Sequence, residues 1–426
     1  MNFICSLFQK KTIRNGIWLY VLQAFNTIIP LISIPYLTRI LGSSVYGIFS
    51  IALNLVTYFQ VLVEYGYGMS ATRKVALMKS DEKSNNNIQY ALNQLFTSIV
   101  LSRFLLMIIA FLIVFLYCVI MKATFYLMVS IMILMGSLLG YCFQLNWLFL
   151  GKQDMKYISI VVVIARTISV ALTFVFVHSE NDLFVYCVLY AIVPIISNVV
   201  ALIIANNKYK IRFVQIGING IIKELKDGFY VFTTQLSAKV FGAIGVTFLG
   251  IFATNTEVGV FSAIQKVPTT ILLAWSPISQ VLYPISSNKF NTSINTGFSF
   301  VSRIRKYSII IFGGLVVIIM LTSYPIVKIV FGDEYSSYSY WIIPLMLWVI
   351  VSIINNFSGI QILLASGHDK EYSAAFQIGV MITIITNLVL VYFFKGNGAA
   401  ISPLISEISL ALLLVRKVNK FKRYSM

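Results

Sequence analysis

Charge is scarce in this chain. Of its 426 residues only 11% are Asp, Glu, Lys or Arg, against about 25% in ordinary soluble domains. Acid is scarcer still: 14 carboxylates face 32 Lys and Arg, so the net charge is +18. So apolar a composition excludes a disordered chain and a cytosolic globular enzyme. Cysteine is rare, and Cys5, Cys118, Cys142 and Cys187 sit in apolar context without pairing or zinc spacing, which argues against disulfides and a structural metal. The two histidines, His178 and His368, fall in loops on opposite sides of the expected membrane map and form no joint site. No GK[S/T] loop is present to cradle a nucleotide phosphate. No nucleophile–base pair or metal-ligand cluster is legible. The sequence therefore reads as a non-enzyme without cofactor.

What is abundant is apolar. Hydrophobic residues make up 59% of the chain, and the mean hydropathy is +0.88. That is enough for about twelve spans of roughly 20 residues. The apolar runs predict an all-α integral membrane protein with spans at 15–38, 44–67, 88–120, 124–150, 157–177, 183–206, 228–252, 257–285, 306–331, 338–365, 371–394 and 397–416. No cleavable signal peptide is read, and residues 1–12 read as an interfacial helix or a frayed end. Of the 32 basic residues, 24 fall in one set of alternate connections and four, Arg39, Lys122, Lys328 and Lys395, in the other. This bias puts both termini in the cytoplasm. It also accounts for the net charge without nucleic acid.

A shift of 212 residues superimposes the first helical pair on the seventh and eighth. Gly16, Gln23 and Leu37 match Gly228, Gln235 and Leu249, and Tyr46-Gly47-Ile48-Phe49-Ser50 matches Val258-Gly259-Val260-Phe261-Ser262. A second echo joins Gly151-Lys152-Gln153-Asp154 to Gly367-His368-Asp369. Six spans per repeat gives two parallel halves, 1–206 and 228–426, joined by a cytoplasmic linker at 207–227, which is a transporter arrangement.

Polar residues at helical spacing mark faces turned from lipid. Asn54 and Thr57 share a stripe with Glu64. Gln23 and Asn26 lie on the first span, Gln235 on the seventh and Thr269 on the eighth. These are the candidate cavity-lining residues, with interhelical hydrogen bonding as the competing role. Arg103, Arg166, Lys239 and Lys266 lie within spans, where a charge costs on the order of 3 kcal/mol by insertion scales. Glu64 and Glu407 are the corresponding acids, candidates for ion coupling or for internal pairing, for example Arg166 with Glu407. Four cations against two carboxylates leave a positive excess suited to an anionic ligand, and Arg grips phosphate oxygens bidentately.

Pro35-Tyr36-Leu37-Thr38-Arg39-Ile40-Leu41-Gly42 with Tyr46-Gly47, then Glu64-Tyr65-Gly66-Tyr67-Gly68 with Ser70-Ala71-Thr72-Arg73, resemble bacterial polysaccharide-unit flippases. Trp147-Leu148-Phe149-Leu150-Gly151 and Phe331-Gly332-Asp333-Glu334-Tyr335 continue the likeness. These flippases handle O-antigen and capsule repeat units and belong to the multidrug/oligosaccharidyl-lipid/polysaccharide exporter superfamily. The resemblance implies a V-shaped pair of six-helix bundles around a cationic central cavity. It implies movement of an undecaprenyl-diphosphate-linked oligosaccharide to the outer leaflet, with membrane lipid and a polysaccharide polymerase complex as candidate partners. A membrane potential or ion gradient is the candidate energy source. The alternative within the superfamily is an ion-coupled drug or small-molecule exporter, which would want an acidic interior.

Overall fold

The computed structural model describes residues 11–78 and 85–425. The expectation for residues 1–12 falls almost wholly outside them. Every regular element among the described residues is helical, and ten helical segments are long and apolar enough to cross a membrane. In hydrocarbon only a helix or a closed barrel satisfies all its backbone hydrogen bonds. Large apolar side chains accordingly cover the outside, among them Leu112, Ile318 and Phe393.

Two of the ten segments are of double length, Tyr20–Leu77 with 58 residues and Asp369–Arg423 with 55. At 1.5 Å per residue each would run to about 80 Å or more, well over twice a bilayer core of roughly 30 Å. Each contains a residue with left-handed backbone, Gly42 at φ 69° and Lys395 at φ 48°, so neither is one straight rod. Both breaks lie where the hydropathy reading places a connection.

Elsewhere the helices outrun that reading. The helix expected over 228–252 begins at Ile218, inside the expected linker. A hydropathy window registers only the stretch in hydrocarbon, whereas this helix continues past it and is tied down by ion pairs of Lys74 to Glu224 (2.7 Å) and Asp227 (2.8 Å). The span expected at 306–331 is instead Ile294–Leu321 followed by a short helix, Ser323–Phe331. Ser293 starts it early: its hydroxyl accepts the Thr296 N–H at 3.1 Å, satisfying a donor the helix cannot use itself. The 124–150 span is broken into Phe125–Met135, Ser137–Cys142 and Asn146–Lys152.

The chain forms two compact units. One comprises Met1–Ser33 and Ile51–Val240, the other Ile34–Ser50 and Phe241–Met426. Their limits differ from a cut at 206 and 228, because 34–50 count with the second unit and 207–240 with the first. In the first unit, Trp147, Phe149, Tyr67 and Phe96 form a core with Ile99 and Leu148. Tyr65 and Gly66, at φ 46° and 71°, end the preceding helix after Glu64. The Tyr65 ring then stacks on Phe232, centroids 4.7 Å apart, and a Cβ on Gly66 would lie 2.7 Å from Val231. The second motif is thus a helix break packed on the 218–252 helix.

In the second unit the repeat-equivalent glycines Gly47 and Gly259 meet backbone to backbone. A Cβ on Gly259 would lie 1.9 Å from the Ser43 carbonyl oxygen, and one on Gly47 would lie 1.8 Å from that of Asn255. Small residues permit such approach, which is how helices gain packing energy in lipid. The same region joins two of the motifs: Arg39 donates to the Ile329 carbonyl, and Ser43 donates to Glu334 through its N–H (2.9 Å) and its hydroxyl.

Candidate functional site

Nine of the twelve candidate side chains belong to the first unit: Gln23, Asn26, Asn54, Thr57, Glu64, Arg103, Arg166, Gln235 and Lys239. Lys266, Thr269 and Glu407 belong to the second. Within the first unit the fold joins Asn26 to Arg166. Arg166, half-buried on the Met155–Phe176 helix, donates from Nη1 to Asn26 Oδ1 at 2.5 Å. A guanidinium has five N–H donors in a planar fork. One is taken among the described residues, so the rest are open to an anion. Arg166 is thus held by Asn26 within its own unit.

Arg103 lies differently. It is 1% exposed, its Nη1 donates to the Gln144 carbonyl at 2.6 Å, and its guanidinium lies 5.4 Å from the centroid of the Tyr67 ring. Gln144 in turn donates from Nε2 to Glu64 at 3.4 Å, and Gln60 donates to the same carboxylate oxygen at 3.0 Å. Gln144 therefore bridges the acid and the base. The arrangement gives both charges polar partners inside the unit, which a charge needs when removed from water. Sequence reading offered no signal for Gln144, because its relevance depends on the break between Ser137–Cys142 and Asn146–Lys152 meeting the helices that carry Glu64 and Arg103.

Lys239 and Gln235, four residues apart and half-buried, share one face of the Ile218–Phe252 helix. Gln23 is exposed, and Asn54 and Thr57 are half-buried. Thr57 and its repeat equivalent Thr269 behave alike: each hydroxyl donates within its own helix, to Asn54 O and Gln265 O, at 2.8 Å. Both retain lone pairs but have spent their protons.

Lys266 is the first residue of the Lys266–Thr292 helix, just past a break at Gln265. Its side chain is exposed, and its ammonium has no hydrogen-bond or ion-pair partner among the described residues. Glu407 is 4% exposed and is held by neutral donors, Asn355 Nδ2 at 2.9 Å and the Trp348 indole N–H at 3.3 Å. Away from the spans, Asp333 lies 3.0 Å from the Lys328 ammonium and raises its pKa above the ordinary value by hydrogen bonding and charge.

Basic side chains lie within the apolar helices of this multi-pass chain, and comparison with solved structures places its fold. The lipid II flippase MurJ, in an inward closed conformation, matches with a TM-score of 0.75 at 16% identity, over 96% of this chain and 87% of that one. A multidrug-resistance MATE family transporter of the MOP superfamily, inward-facing, matches with a TM-score of 0.67 at 15% identity, over 94% of this chain and 100% of the other. The chain belongs to the polysaccharide biosynthesis protein family, matched over residues 12–290. It is 27% identical over 408 residues, 95% of its length and 96% of the relative's, to a putative O-antigen transporter of Escherichia coli (strain K12). It is 25% identical over 410 residues, 95% of its length and 100% of the relative's, to a putative O-antigen transporter of Shigella dysenteriae.

Proposed function

We propose that this chain is a flippase that moves an undecaprenyl-diphosphate-linked oligosaccharide from the cytoplasmic to the outer leaflet of a bacterial inner membrane, for surface polysaccharide synthesis. The observation that carries the reading is the surplus of uncommitted positive charge within the spans: Arg166 with open N–H groups and Lys266 with an unpartnered ammonium. A diphosphate is the anion that such a guanidinium and ammonium suit. The family and the curated relatives support the same direction. Lys239 joins these two as a proposed headgroup contact. Arg103 we assign to holding the first unit together, because its guanidinium does not reach the accessible surface. Gln23, Asn54, Thr57, Gln235 and Thr269 are the proposed neutral lining, and Glu64 and Glu407 the proposed ion-coupling carboxylates.

The reading takes the chain as twelve crossings in two six-helix bundles, residues 1–206 and 228–426 with 207–227 between them, both termini cytoplasmic. Ten apolar segments, two of them of double length and broken at Gly42 and Lys395, support that count. Each sugar hydroxyl costs roughly 4–8 kcal/mol to carry unpaired into hydrocarbon, so a polar path removes most of the barrier while the lipid tail stays in the bilayer. A doubly negative headgroup moving outward gains roughly 4.6 kcal/mol per 100 mV, inside negative.

The test uses purified protein in liposomes loaded with a lipid-diphosphate oligosaccharide and follows the sugar on the opposite leaflet. Wild type is expected to accelerate flipping, and the folded Lys239→Ala/Lys266→Ala double variant is expected to lose it. Ethidium efflux under an ion gradient with no flipping would instead assign the chain to the drug-exporter branch.

A further inference from the structure

The second unit holds a cavity of about 580 Å³ whose walls differ from those of the cationic positions. It opens between the Lys266–Thr292 helix and the segment 352–364, and Trp275, Ser276, Gln280, Tyr283, Ser352 and Asn356 line it. None of its lining residues carries a charge. Its volume lies within the roughly 300–1,000 Å³ of small-molecule sites.

Three features set it apart from a packing gap. The first is its chemistry. Asn356 Nδ2 and the Tyr283 hydroxyl have no hydrogen-bond partner among the described residues, so donors as well as acceptors face the space. Gln280 spends one amide N–H on Ser276 Oγ at 3.2 Å, which leaves its carbonyl oxygen and the Ser276 proton available. The Trp275 indole and the Tyr283 phenol supply ring surface alongside.

The second is the backbone. Phe357–Leu364 is a π-helix, with Ala365 N–H donating to Ile360 O five residues back at 3.1 Å. Such widened turns cluster at functional sites. Ser352, Asn356, Ile360 and Leu364 recur every four residues along the wall. In an α-helix of 3.6 residues per turn that series drifts off a face; the wider turn keeps it aligned.

The third is the support behind the wall. Gln361, fully buried, donates to the Ser279 carbonyl at 2.9 Å and accepts from Ser286 at 2.8 Å. Ser279 donates to Asn356 Oδ1 at 2.7 Å. The Asn356 carbonyl oxygen is thereby tied back, which turns its amide N–H groups away from that bond. A locked side chain presenting free donors is a pre-organised site.

We infer that this cavity is a subsite for a neutral sugar of the transported glycan, at a distance from the diphosphate. Matched donors and acceptors without charge, beside aromatic surface, select a hydroxyl-rich uncharged ring over a cationic drug or a phosphate. Lys266 stands at the start of the same helix, and the fourteen residues from it to Gln280 span about 20 Å. A diphosphate held by Lys266 therefore places the first sugar short of the cavity and a later sugar in it. This inference rests on the flippase reading above and adds to it a distal sugar contact.

The test uses the full chain in liposomes with two lipids. One is undecaprenyl diphosphate carrying a single N-acetylhexosamine. The other is the same carrier with the complete glycan unit of the bacterium that encodes this chain. The Gln280→Leu/Asn356→Leu variant keeps volume and removes hydrogen bonding. It is expected to flip the complete unit about tenfold more slowly and the single-sugar lipid at the wild-type rate, which also shows that it folds. Equal slowing of both lipids would overturn the subsite, as would no slowing of either, while leaving the flippase reading intact. Wild type that flips neither lipid would overturn the flippase reading and the subsite with it.

Discussion

In the unit formed by residues 1–33 and 51–240, several of the long-range polar contacts carry full charges: Arg103 and Glu64 share Gln144, Arg166 is anchored on Asn26, and Lys74 bridges Glu224 and Asp227. In the unit formed by residues 34–50 and 241–426 they are mostly amides and hydroxyls, with Gln361, Ser279, Ser286 and Asn356 in one chain of bonds. The buried acid there, Glu407, is held by neutral donors. The lesson is a division of chemistry between the two units. A charged interior suits a diphosphate, and a neutral hydrogen-bonding interior suits a sugar.

The comparison breaks hardest at Arg103. Arg103→Ala should destabilise the first unit by roughly 3–5 kcal/mol, because it removes the buried counter-charge of Glu64 and leaves the Gln144 carbonyl without its donor. Thermal unfolding in detergent reads this, and an unchanged midpoint would show that the cluster does not hold the unit. Arg166→Ala, by contrast, should leave folding nearly intact and slow flipping tenfold or more, the loss of charge-assisted bonds worth about 1.5–3 kcal/mol. A variant that flips at the wild-type rate would remove Arg166 from the headgroup contacts.

In the second unit, backbone contact should matter more than charge. Gly259→Ala must displace the Ser43 carbonyl and should cost about 1–3 kcal/mol. Gly242, with open space around its Cβ position, should gain roughly 0.5–1 kcal/mol on replacement by Ala within its helix. Equal melting of the two variants would contradict the glycine contact. Glu407→Gln keeps the shape and should change stability by less than about 1 kcal/mol. Its flipping rate, followed against pH and sodium beside Glu64→Gln, shows whether either acid couples transport: a response identical to wild type in both variants removes that role. The smallest effect is expected at Lys328→Ala. The exposed pair with Asp333 should leave the melting temperature where it was.

Much of the candidate site was legible before the fold. Arg166 and Lys266 are cations inside apolar runs, and burial in hydrocarbon admits few reasons for them. What separates Arg166 from Arg103 was not legible, because both are basic residues in spans and only the fold shows one half-buried and the other fully buried. Nor was the neutral cavity: Ser276, Gln280 and Asn356 are ordinary polar residues in sequence, and the π-turn that follows Asn356 has no local signature. Composition and hydropathy determined by themselves that this chain is a multi-pass helical membrane protein, since solvation in lipid is a property of each segment alone. The pairing of Gly47 with Gly259, the seat of the Phe331–Tyr335 motif on Arg39 and Ser43, and the partners of every buried charge were decided by tertiary structure, since hydrogen bonds and close contacts depend on which helices meet.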